Sequence, residues 1–167
     1  DPNGNLIWAK SMGGPSWDVG NSIATDAIGN VYTTGTFMDT VDFDPGVDTL
    51  NLTSVGYNDI FIQKLDSNGN LIWAKAMGGK EVDGWGHITT DASGNVYTTG
   101  RFMDTADFNP GLDTFNLTSN GWEDIYIQKL SQCFDSYNTD FQSACYSYTW
   151  VDGITYTANN NTATDTL

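Results

Sequence analysis

Residues 1–65 of this chain reappear as residues 66–130 without a gap, and roughly 45 of the 65 aligned pairs are identical. A unit repeated this faithfully must bury a face against its neighbour, so the fold is restricted to stacked copies of one structural unit. The duplication also bears on function. A catalytic site is normally one asymmetric constellation, whereas the duplicated residues here are turns, strand cores and surface-loop aspartates.

The chain has 167 residues, 39% hydrophobic and 13% aromatic, which is enough apolar material for a core. A net charge of -15, from 21 acidic and 6 basic residues, leaves no basic patch. That argues against nucleic acid and an anionic membrane surface as partners and favours a cation. The acids divide into about 19 Asp and 2 Glu. Asp suits turns and oxygen-ligand loops whereas helices favour Glu, so the skew is an all-β signal. No segment has the length and apolarity of a membrane span, and neither a signal peptide nor a lipidation motif is visible. The chain starts without Met and therefore reads as a mature piece or a fragment. Cys133 and Cys145 lie close together outside the copies. A disulfide between them would close a short loop worth about 3 kcal/mol and imply an oxidising compartment. Two reduced thiols in an intracellular protein is the alternative, against which the low Lys and abundant Asn, Thr and Gly stand.

The pattern DxxGN occurs at 1–5, 26–30, 66–70 and 91–95, each time between β-rich runs. It suits a type I turn closed by a left-handed glycine, with the Asp side chain accepting turn amides. Strands are expected on either side, at 60–65 and 71–75 and at 86–90 and 96–100. Four strands in two hairpins is the plan of a propeller blade. The expected fold is all-β: two tandem four-stranded antiparallel β-propeller-type blades, 1–65 and 66–130, followed by a C-terminal β-hairpin module, 131–167. The period exceeds the about 40–50 residues of familiar blades because of one insertion, at 39–57 and 104–122, carrying one further strand near 49–53. In the tail, alternating segments at 146–151 and 154–158 flank Asp152-Gly153, a two-residue hairpin signal.

The phase of the repeat matters. The strand containing Leu6, Ile7 and Trp8 lacks the strand that should precede it. The strand containing Ile125, Tyr126 and Ile127 lacks the one that should follow, because Ser131-Gln132-Cys133 replaces the expected turn. These orphans are complementary, either within one molecule or between molecules. Closed propellers use about 4–8 blades, so two copies cannot close a ring. Three readings stand: a fragment of a longer array, a subunit that polymerises by strand exchange or head-to-tail stacking, and a compact two-unit fold.

Asp42, Asp44 and Asp48 alternate in a Gly-containing loop, and Asp107, Asn109 and Asp113 repeat it. Calcium, the one cofactor considered, takes 6–8 oxygens from such loops, although the closing glutamate of an EF-hand is missing. The alternative is a polar turn in which Asp accepts backbone amides. Asn51, Asn116 and Asn160 satisfy the N-glycosylation sequon. Trp8 and Trp73 read as core; Trp17, Trp85 and Trp122 break the repeat and read as exposed. His87 aligns with Ser22 and has no metal-ligating neighbour in sequence. No nucleophile elbow, phosphate loop or HExxH pattern occurs, and duplication disfavours a glycosidase-type Asp pair.

The segments LDSNGNLIWAKAMGG, TDASGNVYTTGRF and DFNPGLDTFNLTS resemble the bacterial SBBP, or β-propeller, repeat, over about three quarters of the chain. The resemblance implies secreted or surface-attached proteins of Bacteroidota-type bacteria, with no catalytic residues to carry over. The tail is similar to short Cys- and Thr-rich repeats of such proteins. Asp-Thr-aliphatic triplets resemble their O-glycosylation motif, which would modify Thr40, Thr49, Thr105 and Thr166. The function expected is an extracellular, non-catalytic structural or adhesive repeat protein, a filament subunit partnered by itself, by further repeats of a parent chain, or by glycans. A carbohydrate-binding propeller of a larger secreted protein or hydrolase is the alternative.

Overall fold

A computed structural model of the chain describes residues 2–131 and the strands Ser147–Thr149 and Thr155–Thr157. The chain divides between Leu130 and Ser131 into two compact units.

The DxxGN segments set the local structure. Asp26 Oδ1 accepts the amides of Ile28 (3.1 Å) and Asn30 (2.9 Å), Asn30 Nδ2 donates to Oδ2 (2.8 Å), and Gly29 turns at φ 85°. The turns at Asp66 and Asp91 repeat this arrangement, with Gly69 and Gly94 at φ 79° and 75°. Glycine reaches this conformation without a Cβ penalty, which is why the pattern holds at each turn.

Between the turns the first copy forms β1 (Val19–Thr25), β2 (Val31–Phe37), a short hairpin β3 (Thr40–Asp42) and β4 (Asn51–Thr53), and β5 (Asp59–Leu65). The second copy begins with β6 (Leu71–Gly79) and continues with β7 (Gly84–Thr90), β8 (Val96–Phe102), β9 (Thr105–Asp107), β10 (Asn116–Thr118) and β11 (Asp124–Leu130). Strands β1, β2, β5 and β6 lie side by side, all antiparallel, an order compatible with a propeller blade. The fourth of these strands therefore comes from the second copy, and the four run from Val19 to Gly79 rather than over residues 1–65, within a six-stranded sheet that continues through β9 and β10. The far end of β6 pairs with β9, placing Gly78 opposite Asp107 and Gly79 opposite Ala106.

The second sheet has three strands, β11-β8-β7. Nothing among the described residues follows β11 to complete it. The strand expected around Leu6, Ile7 and Trp8 does not form: Leu6 is 80% and Ile7 74% exposed, and only Gly13 makes a β-bridge, to Asp42. Strand pattern alone cannot hold an extended segment; β6 has β5 beside it, and this segment has no such neighbour. Trp8 Nε1 instead donates to the carbonyl of Ser67 (3.1 Å). The insertion also forms two strands, β3 and β4, where one was expected.

Period-2 alternation gives the first sheet two apolar faces. On one, Phe37, Phe61 and Ala74 pack with Val41 and Phe43 from the inserted segment. Buried Gln63 fixes that segment by donating from Nε2 to the Phe43 carbonyl (2.7 Å). On the other face, Tyr32, Ile60, Ile62 and Met77 meet Ile88, Val96, Phe102, Phe108 and Tyr126 of the second copy. The copies are thus stacked face to face.

In the tail, β12 (Ser147–Thr149) and β13 (Thr155–Thr157) are antiparallel with Thr149 opposite Thr155. The two-residue turn expected at Asp152-Gly153 lies outside the described residues.

Candidate functional site

The surface that stands out is the open side of the second sheet. In β11, Tyr126 points inward, whereas Ile125 is 80% and Ile127 78% exposed. The equivalent residues of the first copy, Ile60 and Ile62, are fully buried. Ile127 borders a depression of about 300 Å³ that it shares with His87, Thr89, Tyr97 and Thr99. Lys129 Nζ lies 5.2 Å from the Tyr97 ring centroid. At the rim the Arg101 guanidinium stacks 4.8 Å above Trp85, and its Nη1 donates to Glu123 Oε2 (2.7 Å).

The contact between the copies shows how such a face is covered. Ile88 N donates to Ser22 Oγ (3.3 Å), and Thr90 Oγ1 donates to the Thr25 carbonyl (3.1 Å). Gly84 sits so tightly on Thr36 that a Cβ would fall 1.8 Å from its Cγ2. Two carboxyls are buried at this contact. Asp59 accepts the Val55 amide (2.9 Å); Asp83 accepts those of Gly79 (2.7 Å) and Met103 (3.1 Å). Burial pushes Asp59 up to about 7 against the pull of the Val55 amide, and the Asp83 charge adds to the rise. Burial likewise lifts Asp83 to about 6, opposed by its two amides and reinforced by Glu81. Neither acid stood out in the sequence. The available signal was their repetition as Asp124 and Asp18.

Of the residues singled out in the sequence, Leu6, Ile7, Trp8 and the strand of Ile125, Tyr126 and Ile127 are not brought together within the described fold. In the acidic loops, Asp42 Oδ1 accepts the amides of Asp44 (3.0 Å) and Leu50 (2.9 Å), and Asp44 Oδ1 accepts that of Gly46 (2.7 Å). Asp107 Oδ1 does the same for Asn109 (2.9 Å) and Phe115 (2.8 Å), and Asn109 Oδ1 for Gly111 (2.9 Å). Asp48 and Asp113 are exposed. Among the described residues no group of three or more His, Cys, Asp or Glu side chains is gathered for a metal. Thr40 and Thr105 are exposed and hydrogen bonded to Thr53 (2.8 Å) and Thr118 (2.9 Å). Thr49, Asn51 and Asn116 are also exposed. Cys133, Cys145, Asn160 and Thr166 lie outside the described residues. Trp73 is half-buried edge-on to Tyr32 at 6.3 Å, and Trp8 is half-buried, while Trp17, Trp85 and Trp122 are exposed.

No known family model matches the chain, so the SBBP resemblance rests on its motifs. Over 115 residues the chain is 28% identical to an uncharacterised WD repeat-containing protein of Acanthamoeba polyphaga mimivirus, covering 60% of this chain and 8% of that protein. Over 131 residues it is 25% identical to the regulatory protein FlaEY of Caulobacter vibrioides, covering 78% of this chain and 13% of that protein. The chain therefore spans only a small part of these curated relatives. The likeness to a WD repeat protein agrees with the fold at a coarse level, that of a β-repeat chain.

Proposed function

We propose that this chain is a non-catalytic structural or adhesive module of an extracellular surface protein of SBBP type, whose units join by strand complementation. One observation carries the reading: the fourth strand of the first sheet, β6, is supplied by the following copy, and β11 offers the same kind of edge. Exposed backbone edges template pairing with another chain. A head-to-tail contact that does not close makes an open filament. The exposed threonines and asparagines support sugar attachment on the inserted hairpins, which intact-mass measurement would read as hexose-sized steps. Calcium in the acidic loops would raise the melting temperature relative to chelator-treated protein. For the reading as a whole, electron microscopy of concentrated protein is expected to reveal regular fibres. Monodisperse monomers at the highest attainable concentration would overturn it.

The exposed aromatics, above all Trp85 beside Arg101 and Glu123, favour a second reading as a glycan-binding module. It predicts saturable calorimetric binding to an oligosaccharide that is lost in Trp85→Ala.

A further inference from the structure

The contact between the two copies is a heterologous interface, and both of its halves occur again, uncovered, elsewhere on the same chain. On the donor side, β7 docks on the first sheet and its Ile88 is 8% exposed; the equivalent Ile23 of β1 is 65% exposed. On the acceptor side, Ile60 and Ile62 are at 0%, while Ile125 and Ile127 are at 80% and 78%. Among the described residues, one end of the stack thus presents an uncovered donor strand, and the other an uncovered acceptor face.

We infer that the open face of β7-β8-β11 takes β1 of a second copy of this chain, placed by the same operation that relates the two copies internally. This deepens the self-assembly reading above and rests on it. The occupant follows from the interface already in the molecule: what covers Ile60 and Ile62 is the next copy of the unit. The operation also accounts for the unpaired segment. Internally it sets β6 along β5 with Ile60 opposite Met77 and Ile62 opposite Lys75. Applied between chains, it lays residues 6–12 along β11 with Met12 opposite Ile125 and Lys10 opposite Ile127. Face and edge are filled in one step. The match is imperfect: Val19 stands where Gly84 fits against Thr36, and Arg101 stands where Thr36 does. The contact between chains is therefore the weaker one, and assembly is concentration-dependent.

Two single variants test this, Ile127→Lys on the acceptor face and Ile23→Lys on the donor strand, both at exposed positions where the monomer tolerates charge. Sedimentation of the full chain is expected to show mass rising with concentration. Each variant alone should weaken association by tenfold or more, roughly the scale of burying one such side chain. An equimolar mixture should give a discrete heterodimer and stop there, since each variant retains one good half. Both variants assembling like the parent would overturn this interface while leaving self-assembly by another route. A mixture that stays monomeric while the parent assembles would overturn it equally. A parent chain monomeric throughout removes both this inference and the assembly reading. If circular dichroism finds a variant misfolded, hydrogen exchange of the parent decides: β11 amides must slow as concentration rises, and unchanged exchange refutes the docking.

Discussion

Strands β5 and β11 carry nearly the same residues, Ile-Phe-Ile-Gln-Lys-Leu and Ile-Tyr-Ile-Gln-Lys-Leu, and differ almost completely in what surrounds them. The first is central, with β2 on one side, β6 on the other and the second copy over its isoleucine face. Among the described residues the second pairs only with β8, and it shows its isoleucines to solvent. Burial here belongs to the neighbourhood and not to the residue, and the same six-residue pattern is core in one setting and docking surface in the other.

Truncating an isoleucine in each strand separates the two settings most widely. Ile62→Ala should cost about 2–5 kcal/mol, because it removes packing and leaves a cavity. Ile127→Ala in the monomer should change stability by less than about 0.5 kcal/mol. Urea unfolding of dilute protein measures both, and equal effects would mean that the two environments are alike. Next in size is Gly84→Val, which builds the residue of the first copy into the second; with Thr36 in the way it should cost about 1–3 kcal/mol. The reverse change at an uncovered position, Val19→Gly, should cost less.

Acidity probes the same contact. Asp59 and Asp83 ionise in the fold near 7 and 6, above their ordinary 3.8, so between these values the native state binds more protons than the unfolded chain. Stability therefore falls as pH rises, over about 4 to 7 for Asp59 and about 4 to 6 for Asp83, by at most about 1.4 kcal/mol per pH unit for each group. Asp59→Asn should flatten that slope in urea titrations repeated across the window; a slope that persists unchanged would assign it to other groups. The turn aspartates act with the opposite sign. Hydrogen bonds from Asn70 and Asn95 hold Asp66 and Asp91 below the usual carboxylate range, so their contribution is present at neutral pH and lost in acid. Asp91→Ala should lower the melting temperature by a few degrees and leave the sheet order intact.

The turns were legible in the sequence because DxxGN closes its own hydrogen bonds within five residues. The antiparallel strands beside them were legible from alternation. The phase of the sheet was read only in part: the orphan strands were visible, but an extended pattern at Leu6, Ile7 and Trp8 does not say whether a partner exists, and without one no strand forms. β3 was missed because Thr40-Val41-Asp42 is three residues long and gains its order from pairing with β4. Asp59 and Asp83 were invisible for a related reason. They sit in different copies and become a pair only through stacking, which composition and local pattern do not encode.

That the strand flanking β5 in the first sheet runs to Gly79 while the sequence copy ends at Leu65 governs the order of synthesis. A ribosome that has released the whole of the first copy has still not released what closes its sheet. Every nascent array of this kind carries an open strand edge until the opening segment of the next copy emerges. During that interval it is most vulnerable to pairing with the wrong chain.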